Sequence, residues 1–202
     1  MSDQAEGREK REAGRQREED QTPLPLGAGS IAPSPVQSQP QACRVGFGYD
    51  SHRFAPGGPL RLGGVNIPDD RSLQGHSDGD AVAHAITDAV LGAAGAGDIG
   101  AMFPDDDPAN LGRDSVGMLA RAVTVARGLG WVVGNVDVTV VAESPRIGPH
   151  RDAMREALAP ALGIAIGDIN IKGKSNEGMG WLGRGEGIAC FAVAMLAPVQ
   201  SA

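Results

Sequence analysis

Two short and widely separated stretches of the sequence contain side chains that commonly bind divalent metal ions. Asp50 and His52 stand two residues apart within residues 48–52, and His84 lies in the second stretch, residues 76–84. In a β-strand, residues i and i+2 point to the same face, so Asp50 and His52 can reach one ion. One carboxylate and two imidazoles leave a fourth coordination position for water or substrate. This ligand set is typical of a catalytic rather than a structural zinc site.

The second stretch predicts a loop that enters a helix. Ser77 is expected to cap that helix, with Asp80 as its capping-box partner. His84 lies four residues from both Asp80 and Asp88, and either carboxylate could fix the tautomer of a metal-binding imidazole. On its own, a helical histidine more often belongs to a solvated polar face. The metal interpretation therefore depends on the Asp-x-His pair of the first stretch.

Two polar loops could contact a substrate. Residues 97–108 contain four aspartates, which suit a substrate or second-metal loop and equally suit solvated turns. Residues 173–180 contain Lys174, Ser175 and Glu177, the groups needed to hold a polyphosphate with a hard metal. A flexible glycine-rich connector would have the same composition. The sequence lacks the HExxH and GxxxxGK[ST] motifs, which disfavours a zinc protease and a P-loop NTPase.

Composition narrows the possible functions further. The chain has 202 residues, 3% aromatics and a formal charge of -7, so we expect one aliphatic-core domain without a nucleic-acid surface. No apolar run is long enough to span a bilayer, and the charged first residues do not resemble a targeting peptide. Cys43 and Cys190 have no CxxC spacing, which favours two reduced thiols. These features predict a cytoplasmic protein that does not contact membranes.

The pattern of apolar and turn residues predicts the architecture. Residues 1–42 combine a charged segment with a Pro-, Ser- and Gln-rich one and are expected to be a disordered extension, followed by a folded domain at 43–198. Predicted strands are 44–49, a hairpin within 60–67, 131–142, 169–172 and a fully buried strand at 187–196, with a loop at 54–59 and helices after Ser77, at 116–127 behind a Ser115 cap and at 149–162. This order indicates an α+β fold, an α/β sandwich with helices on one face of a mixed sheet. A homo-oligomer is the economical cover for the other face.

Several groups of residues along the chain together resemble one known family. They are residues 44–54, 76–80, 97–100 with 103–105, 134–137 and 183–189. In this order they are similar to the 2-C-methyl-D-erythritol 2,4-cyclodiphosphate synthases, enzymes of the non-mevalonate isoprenoid pathway. The resemblance covers residues 44–196. Each motif alone would be weak, but their shared order makes the resemblance specific.

The resemblance implies a homotrimer with active sites between neighbouring subunits. In the implied reaction, the 2-phosphate of 4-diphosphocytidyl-2-C-methyl-D-erythritol 2-phosphate attacks the β-phosphorus of the diphosphate, CMP leaves, and a cyclic diphosphate forms. Zn²⁺ would be held by Asp50, His52 and His84, and Mg²⁺ or Mn²⁺ by Glu177. The implied substrate contacts are Asp50, His52, His76, Ser77, Asp98, Ile99, Gly100, Phe103, Pro104, Asp105, Asp106, Asp107, Ala142, Pro145, Arg146, Ile147, Gly148, Lys174, Ser175, Asn176, Glu177, Trp181 and Arg184, with His76 and Ser175 stabilising the transition state.

The sequence departs from the usual family pattern at four positions. Ser175 replaces a commoner threonine, Arg146 a frequent lysine, Gly148 an apolar residue and Tyr49 a phenylalanine. In the family, that aromatic lines a trimer-axis cavity that can take an isoprenoid phosphate, together with the residues at Arg184 and Glu186. The residues themselves leave two alternatives open. One is a metal-dependent phosphohydrolase that activates water, and the other is a non-catalytic trimeric module that binds an isoprenoid diphosphate.

Overall fold

The computed structural model describes residues 42–200 of the chain. The predicted disordered extension, 1–42, lies outside the described residues except for Ala42, and it stays a prediction. Within the described range the strands are β1 (Arg44–Pro56), β2 (Leu60–Leu62), β3 (Val65–Ile67), β4 (Arg71–Leu73), β5 (Trp131–Val141), β6 (Ile169–Lys174) and β7 (Gly187–Pro198). The helices are α1 (Ala81–Ala94), α2 (Ile99–Met102), α3 (Ser115–Gly128), α4 (Arg151–Leu162) and α5 (Gly180–Gly183), with 3-10 turns at Pro108–Asn110, Gly148–His150 and Ile166–Asp168.

The main sheet has the strand order β4-β1-β7-β5-β6, and β2 and β3 form a separate hairpin. β5 and β6 are parallel, whereas β7 is antiparallel to both β1 and β5. β1, β5 and β6 therefore run in one direction, and their carboxyl ends lie at the same edge of the sheet. The mixed sheet with packed helices confirms the predicted α+β class.

Helix α1 packs against β1 at very short range. A Cβ atom at Gly46 or Gly48 would overlap the carbonyl oxygens of Ala89 and Ala85, so only glycine allows this approach. Almost every residue of α1 is buried, in agreement with the predicted apolar face. The close packing brings His84, on α1, to the face of β1 that carries its even-numbered residues.

The opposite face of β1 and β7 is apolar and exposed in the single chain. Phe47 is 63% exposed, Tyr49 46%, Phe191 37% and Val193 40%. Tyr49 is paired in register with Phe191, and Phe47 with Val193, so these side chains form one continuous patch. The prediction that β7 is fully buried is therefore wrong, because the helices among residues 42–200 cover only one face of this central strand. A homotrimer that covers the other face remains a prediction.

The first turn of α1 is capped by Asp80, and the predicted Ser77 cap is wrong. The buried Asp80 carboxylate accepts hydrogen bonds from the backbone N–H groups of Val82 and Ala83, at 3.1 and 3.0 Å. It also accepts from Gly63 and Gly64 in the β2–β3 turn, at 2.7 and 2.6 Å. One carboxylate thus joins the hairpin to the helix.

Helix α3 begins one residue earlier than predicted. Its N-cap is Asp114, whose carboxylate accepts from the backbone N–H of Gly117 at 2.8 Å, and the predicted Ser115 cap is wrong. Aspartate and serine cap helices equally well, so adjacent Asp and Ser residues leave the choice to the tertiary structure. Ser115 is instead the fully buried first helical residue.

The other predicted elements differ from the structure mainly at their ends. β1 continues to Pro56, through part of the predicted loop at 54–59, and β6 continues to Lys174. α4 begins at Arg151, after a 3-10 turn, rather than at residue 149. The short elements β4, α2 and α5 were not predicted. None of the helices in residues 42–200 is long and apolar enough to cross a bilayer.

Candidate active site

Three side chains from β1 and α1 bring one ligand atom each to a common point. Asp50 Oδ2 lies 2.8 Å from His52 Nε2 and 2.9 Å from His84 Nδ1, and the two nitrogens are 3.2 Å apart. Asp50 and His52 share a face of β1, as their spacing predicts. We refer to Asp50, His52 and His84 as the triad.

The outer nitrogen of each triad histidine has its own partner. His52 Nδ1 lies 2.5 Å from the backbone carbonyl oxygen of Gln74, which can only accept a hydrogen bond. Nδ1 therefore donates a hydrogen bond to that carbonyl, and Nε2 is the nitrogen that faces Asp50. His84 Nε2 lies 2.8 Å from Ser115 Oγ and 2.9 Å from Ser77 Oγ, away from the triad centre.

The prediction that the carboxylate of Asp80 or Asp88 contacts His84 is wrong. Asp80 is occupied by the four backbone N–H groups of the hairpin and helix, and Asp88 accepts from the backbone N–H of Ile99 at 2.8 Å. Both residues lie one turn from His84 along α1, but their carboxylates point to neighbouring backbone. Serine hydroxyl groups take the place predicted for a carboxylate.

The electrostatics of the triad fit a bound cation. Burial opposes ionisation of Asp50, but hydrogen bonds from His52 and His84 outweigh it and hold the pKa of Asp50 well below its usual value. Burial likewise disfavours imidazolium at His52, but its hydrogen bond to Asp50 outweighs burial and raises the His52 pKa. A divalent ion would replace the imidazole proton as the partner of the carboxylate.

The dimensions of the triad also fit a metal. Zinc with bonds of about 2.0–2.2 Å holds its tetrahedral ligand atoms about 3.3 Å apart. The 2.8–3.2 Å separations found here need to open by only a few tenths of an ångström. Asp50, His52 and His84 can therefore hold one ion without rearrangement of β1 or α1.

The triad opens into a cavity of about 260 Å³. Its walls bring together many residues predicted in the sequence, namely Asp50, His52, His76, Ser77, His84, Ile99, Gly100, Phe103 and Asp105. Gly75, Asn110 and Met118 also line it and were missed, because neither their types nor their spacing signals a site. His76 Nδ1 lies 3.8 Å from Asp105 Oδ2, and both side chains are exposed.

The remaining residues predicted near this cavity do not line it. Asp98 caps α2 through a 2.7 Å hydrogen bond from the backbone N–H of Ala101. Asp107 caps the following 3-10 turn, and Pro104 and Asp106 are exposed in the same segment. Asp98 and Asp107 therefore act as caps of short helical turns, as the turn interpretation of residues 97–108 predicts.

A second cavity, of about 560 Å³, lies at the carboxyl ends of β5 and β6. It is lined by predicted residues from two loops, namely Ala142, Pro145, Arg146, Ile147, Gly148, Lys174 and Ser175. Glu143, Pro149, Arg151 and Gly173 line it too and were not predicted. The cavity is mixed in character, with two arginines and a lysine around an apolar floor at Ile147.

The loop that follows Lys174 is held by one carboxylate. Glu143 Oε1 accepts from the backbone N–H groups of Asn176 at 2.9 Å and Gly178 at 3.2 Å. Ser175 Oγ donates to Glu177 Oε1 at 2.5 Å, and Glu177 has a positive φ of 51°. We refer to residues 175–178 as the phosphate loop, because the family resemblance implies that they hold the diphosphate of the substrate.

The triad and the phosphate loop are separated in the single chain. His52 is in register with Ile188 on β7, and Lys174 pairs with Val141, which pairs with Ala189 on β7. The two sites are therefore level along the sheet but three strand spacings apart, about 14 Å. β7 and β5 lie between them.

Trp181 and Arg184 line neither the triad cavity nor the cavity at the ends of β5 and β6. Trp181 lines a third cavity of about 360 Å³ with Ser51, His52 and Arg53, on the side of β1 near the triad. Arg184 pairs with Glu186 through a 2.6 Å contact on the exposed surface. The structure thus brings the triad to the cavity of His76 and Ser77, and leaves the phosphate loop, Trp181 and Arg184 outside that cavity.

Comparisons with known proteins agree with this architecture. A relative from Gemmatimonas aurantiaca, a 2-C-methyl-D-erythritol 2,4-cyclodiphosphate synthase, is 60% identical over 158 residues, which cover 78% of this chain and 95% of the relative. A Bordetella petrii protein of the same name is 55% identical over 154 residues, covering 76% and 95%.

Solved structures are similar as well. The bifunctional IspDF from Campylobacter jejuni matches with a TM-score of 0.75 and 38% identity, over 78% of this chain and 42% of that one. IspF from Plasmodium falciparum, in a CDP complex, matches with a TM-score of 0.70 and 34% identity, over 80% of this chain and all of that one. The YgbB family model matches residues 43–197, and the chain belongs to the YgbB family.

Proposed function

We propose that this chain converts 4-diphosphocytidyl-2-C-methyl-D-erythritol 2-phosphate into 2-C-methyl-D-erythritol 2,4-cyclodiphosphate and CMP. The convergence of Asp50, His52 and His84 beside a cavity, in a YgbB-family chain, carries this proposal. The relatives at 60% and 55% identity bear the name of this synthase. The reaction is an intramolecular phosphoryl transfer that serves isoprenoid precursor synthesis.

The bonds made and broken balance without a further reactant. An oxygen of the 2-phosphate bonds to the β-phosphorus, and the bond from that phosphorus to the oxygen bridging to CMP breaks. CMP leaves with the electron pair of the broken bond. The attacking phosphate is already anionic, so the chain need not supply a strong general base. Its contribution is positioning and charge neutralisation.

Asp50, His52 and His84 would hold Zn²⁺, and Glu177 would hold Mg²⁺ or Mn²⁺. When bound, these ions supply positive charge beside the phosphate oxygens and template their positions. His76 and Ser77, beside the triad in the 260 Å³ cavity, would donate hydrogen bonds to the same phosphate. Ile99, Gly100 and Phe103 would pack against the erythritol carbon chain, with Asp98 and residues 104–107 at the entrance.

The second cavity suits the cytidine end of the substrate. Ala142, Pro145, Arg146, Ile147 and Gly148 would surround the base, with an apolar floor and backbone groups that can read its edge. Lys174, Ser175, Asn176 and Glu177 would hold the diphosphate, with Ser175 stabilising the transition state, and Trp181 and Arg184 would complete the pocket. The similar Plasmodium falciparum structure is a CDP complex, which supports a cytidine-diphosphate site in this fold.

We place the complete active site between subunits of a homotrimer. The phosphate loop lies about 14 Å from the triad within one chain, three strand spacings away. A neighbouring subunit can supply the phosphate loop that the triad lacks. The exposed patch of Phe47, Tyr49, Phe191 and Val193 provides a surface for such an assembly.

Two further expectations from the family stay proposals. A cavity on the trimer axis, lined by Tyr49, Arg184 and Glu186, would accept an isoprenoid phosphate. The reaction would take place in the cytoplasm, and Cys43 and Cys190 are both free thiols, as suits a reducing compartment.

The proposed reaction is tested by incubating the full chain with the cytidyl substrate and Mg²⁺ and following phosphorus NMR. We expect CMP and a cyclic diphosphate to form in equal amounts, without inorganic phosphate. Release of inorganic phosphate with a linear product would identify a phosphohydrolase instead. Full metal occupancy without turnover would identify a binding module. The His84→Ala variant is the control for contaminating activity.

A further inference from the structure

We infer that Asp78 and Ser115 form a hydrogen-bonded relay that fixes the tautomer of His84 and so sets the metal affinity of the triad. The inference rests on the proposed metal site. Ser115 Oγ lies 2.8 Å from His84 Nε2 and also hydrogen-bonds to Asp78 Oδ1. Neither Asp78 nor Ser115 lines the substrate cavity, so both act through His84 rather than on the substrate.

The direction of each hydrogen bond follows from the chemistry of the groups. A carboxylate only accepts, so the single Ser115 O–H donates to Asp78. The lone pairs of Ser115 Oγ are then left to accept a hydrogen bond, and His84 Nε2 must be the donor. Nε2 therefore carries a proton, which leaves Nδ1, 2.9 Å from Asp50 Oδ2, as the nitrogen that would bind a metal held by the triad.

Asp78 is itself held by surrounding donors. Arg61 Nε donates to Asp78 Oδ2 at 3.0 Å, and the backbone N–H groups of Ser115 and Asp80 lie 3.3 Å from its two oxygens. Arg61 Nη2 also donates at 3.0 Å to Asp114, the N-cap of α3. Arg61 thus ties the loop before α1 to the start of α3, and the relay cannot rotate away from His84 without breaking these bonds.

The capping pattern of α3 makes the relay possible. Because Asp114 caps the helix, the Ser115 hydroxyl is released from the capping role and is buried against His84. The Ser77 hydroxyl also approaches His84 Nε2, at 2.9 Å, but Ser77 faces the cavity. Because Ser115 Oγ accepts the hydrogen bond from Nε2–H, the Ser77 O–H stays available to a substrate phosphate.

Hydrogen bonds of this kind to a metal-bound histidine commonly change metal affinity by about 10–100-fold. For Ser115→Ala we expect the dissociation constant for Zn²⁺, measured by chelator competition on the full chain, to rise by about this factor. Ser115→Thr retains the hydroxyl and should restore most of the affinity. Thr124→Ala removes a hydroxyl from the same helix, where it bonds only to Ala120 O, and should leave the affinity unchanged.

Nitrogen NMR of the His84 ring provides a readout independent of activity and of metal. In the metal-free chain, Nε2 should carry a proton, and Ser115→Ala should shift the ring toward a proton at Nδ1 alone, where Asp50 accepts. Unchanged Zn²⁺ affinity together with an unchanged tautomer would overturn the relay. Lower thermal stability without a change in either readout would assign Ser115 a purely structural role, and would also overturn it.

The outcome is separable from that of the proposed reaction. If the chain makes no cyclic product but Ser115→Ala weakens Zn²⁺ binding, the relay stands and the synthase proposal fails. If the wild-type chain binds no Zn²⁺, the nitrogen NMR measurement alone decides, and an unprotonated Nε2 in the wild type contradicts the relay.

Discussion

The triad and the phosphate loop differ in how much of their geometry one chain supplies. Every triad residue is half-buried or buried and has a partner on its outer side, namely the Gln74 carbonyl for His52 and the Ser115 hydroxyl for His84. The phosphate loop is largely exposed and is held at its backbone by the exposed Glu143. The triad is therefore held in position before substrate binds, whereas the phosphate loop is held by fewer contacts.

This difference has a physical cause in the packing. The triad sits where α1 approaches β1 through Gly46 and Gly48, so small deviations there would cause overlap with the helix backbone. The phosphate loop follows β6, the edge strand of the sheet, and most of it is exposed, although Gly183 of the short helix α5 approaches the backbone of Gly178. Substitutions on the triad side should therefore act through metal binding and folding, and those on the loop side through substrate affinity.

The largest effect should come from removing a triad ligand. His84→Ala leaves two ligand atoms, so we expect the variant to lose Zn²⁺ and to fall to background activity. The cavity it creates lies at the partly open edge of the core, so the chain should still fold and assemble as the wild type does. Elemental analysis and native mass spectrometry measure both properties. Unchanged Zn²⁺ content would show that the triad is not the metal site, and full activity without bound Zn²⁺ would show that the reaction does not need this metal.

The support beneath the triad should be nearly as sensitive, but in stability rather than in chemistry. The two oxygens of Asp80 accept hydrogen bonds from four backbone N–H groups. Asp80→Asn replaces one of these oxygens with an NH₂ group, which cannot accept, so at least one buried N–H group loses its partner. We expect a loss of about 2–4 kcal/mol in the free energy of unfolding, measured by urea titration. Asp114→Asn is the matched control, because an asparagine keeps the N-cap bond from Gly117 and loses only an exposed ion pair with Arg61, which costs little. Equal losses in both variants would mean that the link from hairpin to helix adds nothing.

On the loop side, Glu143→Ala should weaken substrate binding while leaving the triad intact. It removes the acceptor of two backbone hydrogen bonds that hold residues 176 and 178. Because Glu143 is exposed, we expect a loss near the low end for charged hydrogen bonds, about 1.5 kcal/mol, which is about a tenfold rise in KM. Glu143→Gln keeps one acceptor oxygen, so its KM should lie between those of the wild type and Glu143→Ala. A change in Zn²⁺ affinity in either variant would contradict the separation of the two halves.

The sequence carried different amounts of information about the two halves. The Asp-x-His spacing and the period of a strand are local, so they were enough to bring Asp50 and His52 together on one face. His84 was placed by its pattern on an amphipathic helix. The outer partners Ser115 and Asp78 were not predictable, because they depend on α3 meeting the loop before α1. Local cap preferences could not decide between Asp114 and Ser115.

On the loop side, the assignment of residues 142–148 and 174–177 came from the family resemblance rather than from residue physics. A glycine-flanked polar loop has too many uses for its composition to define one. Glu143 had no signal at all, since its role is set by the β5–β6 register. The same limit explains the error on β7. An apolar strand composition does not reveal whether the second face is covered by its own chain or by a neighbour.

The smallest expected effect tests whether the phosphate loop holds its own metal. Glu177→Ala removes a carboxylate that lies 2.5 Å from Ser175 Oγ but leaves the Glu143 contacts to the loop backbone in place. At saturating Mg²⁺ we expect activity to stay within a few-fold of wild type, because substrate phosphates supply most ligands of a Mg²⁺ ion in such sites. At limiting Mg²⁺ the variant should need more metal, so its Mg²⁺ titration shifts to higher concentration while Zn²⁺ content is unchanged. Glu143→Ala is the control for loop disturbance, since it loosens the loop backbone and leaves the Glu177 carboxylate in place. A wild-type Mg²⁺ titration in Glu177→Ala would remove Glu177 from the metal site, and a simultaneous loss of Zn²⁺ would show that the two halves share one metal environment.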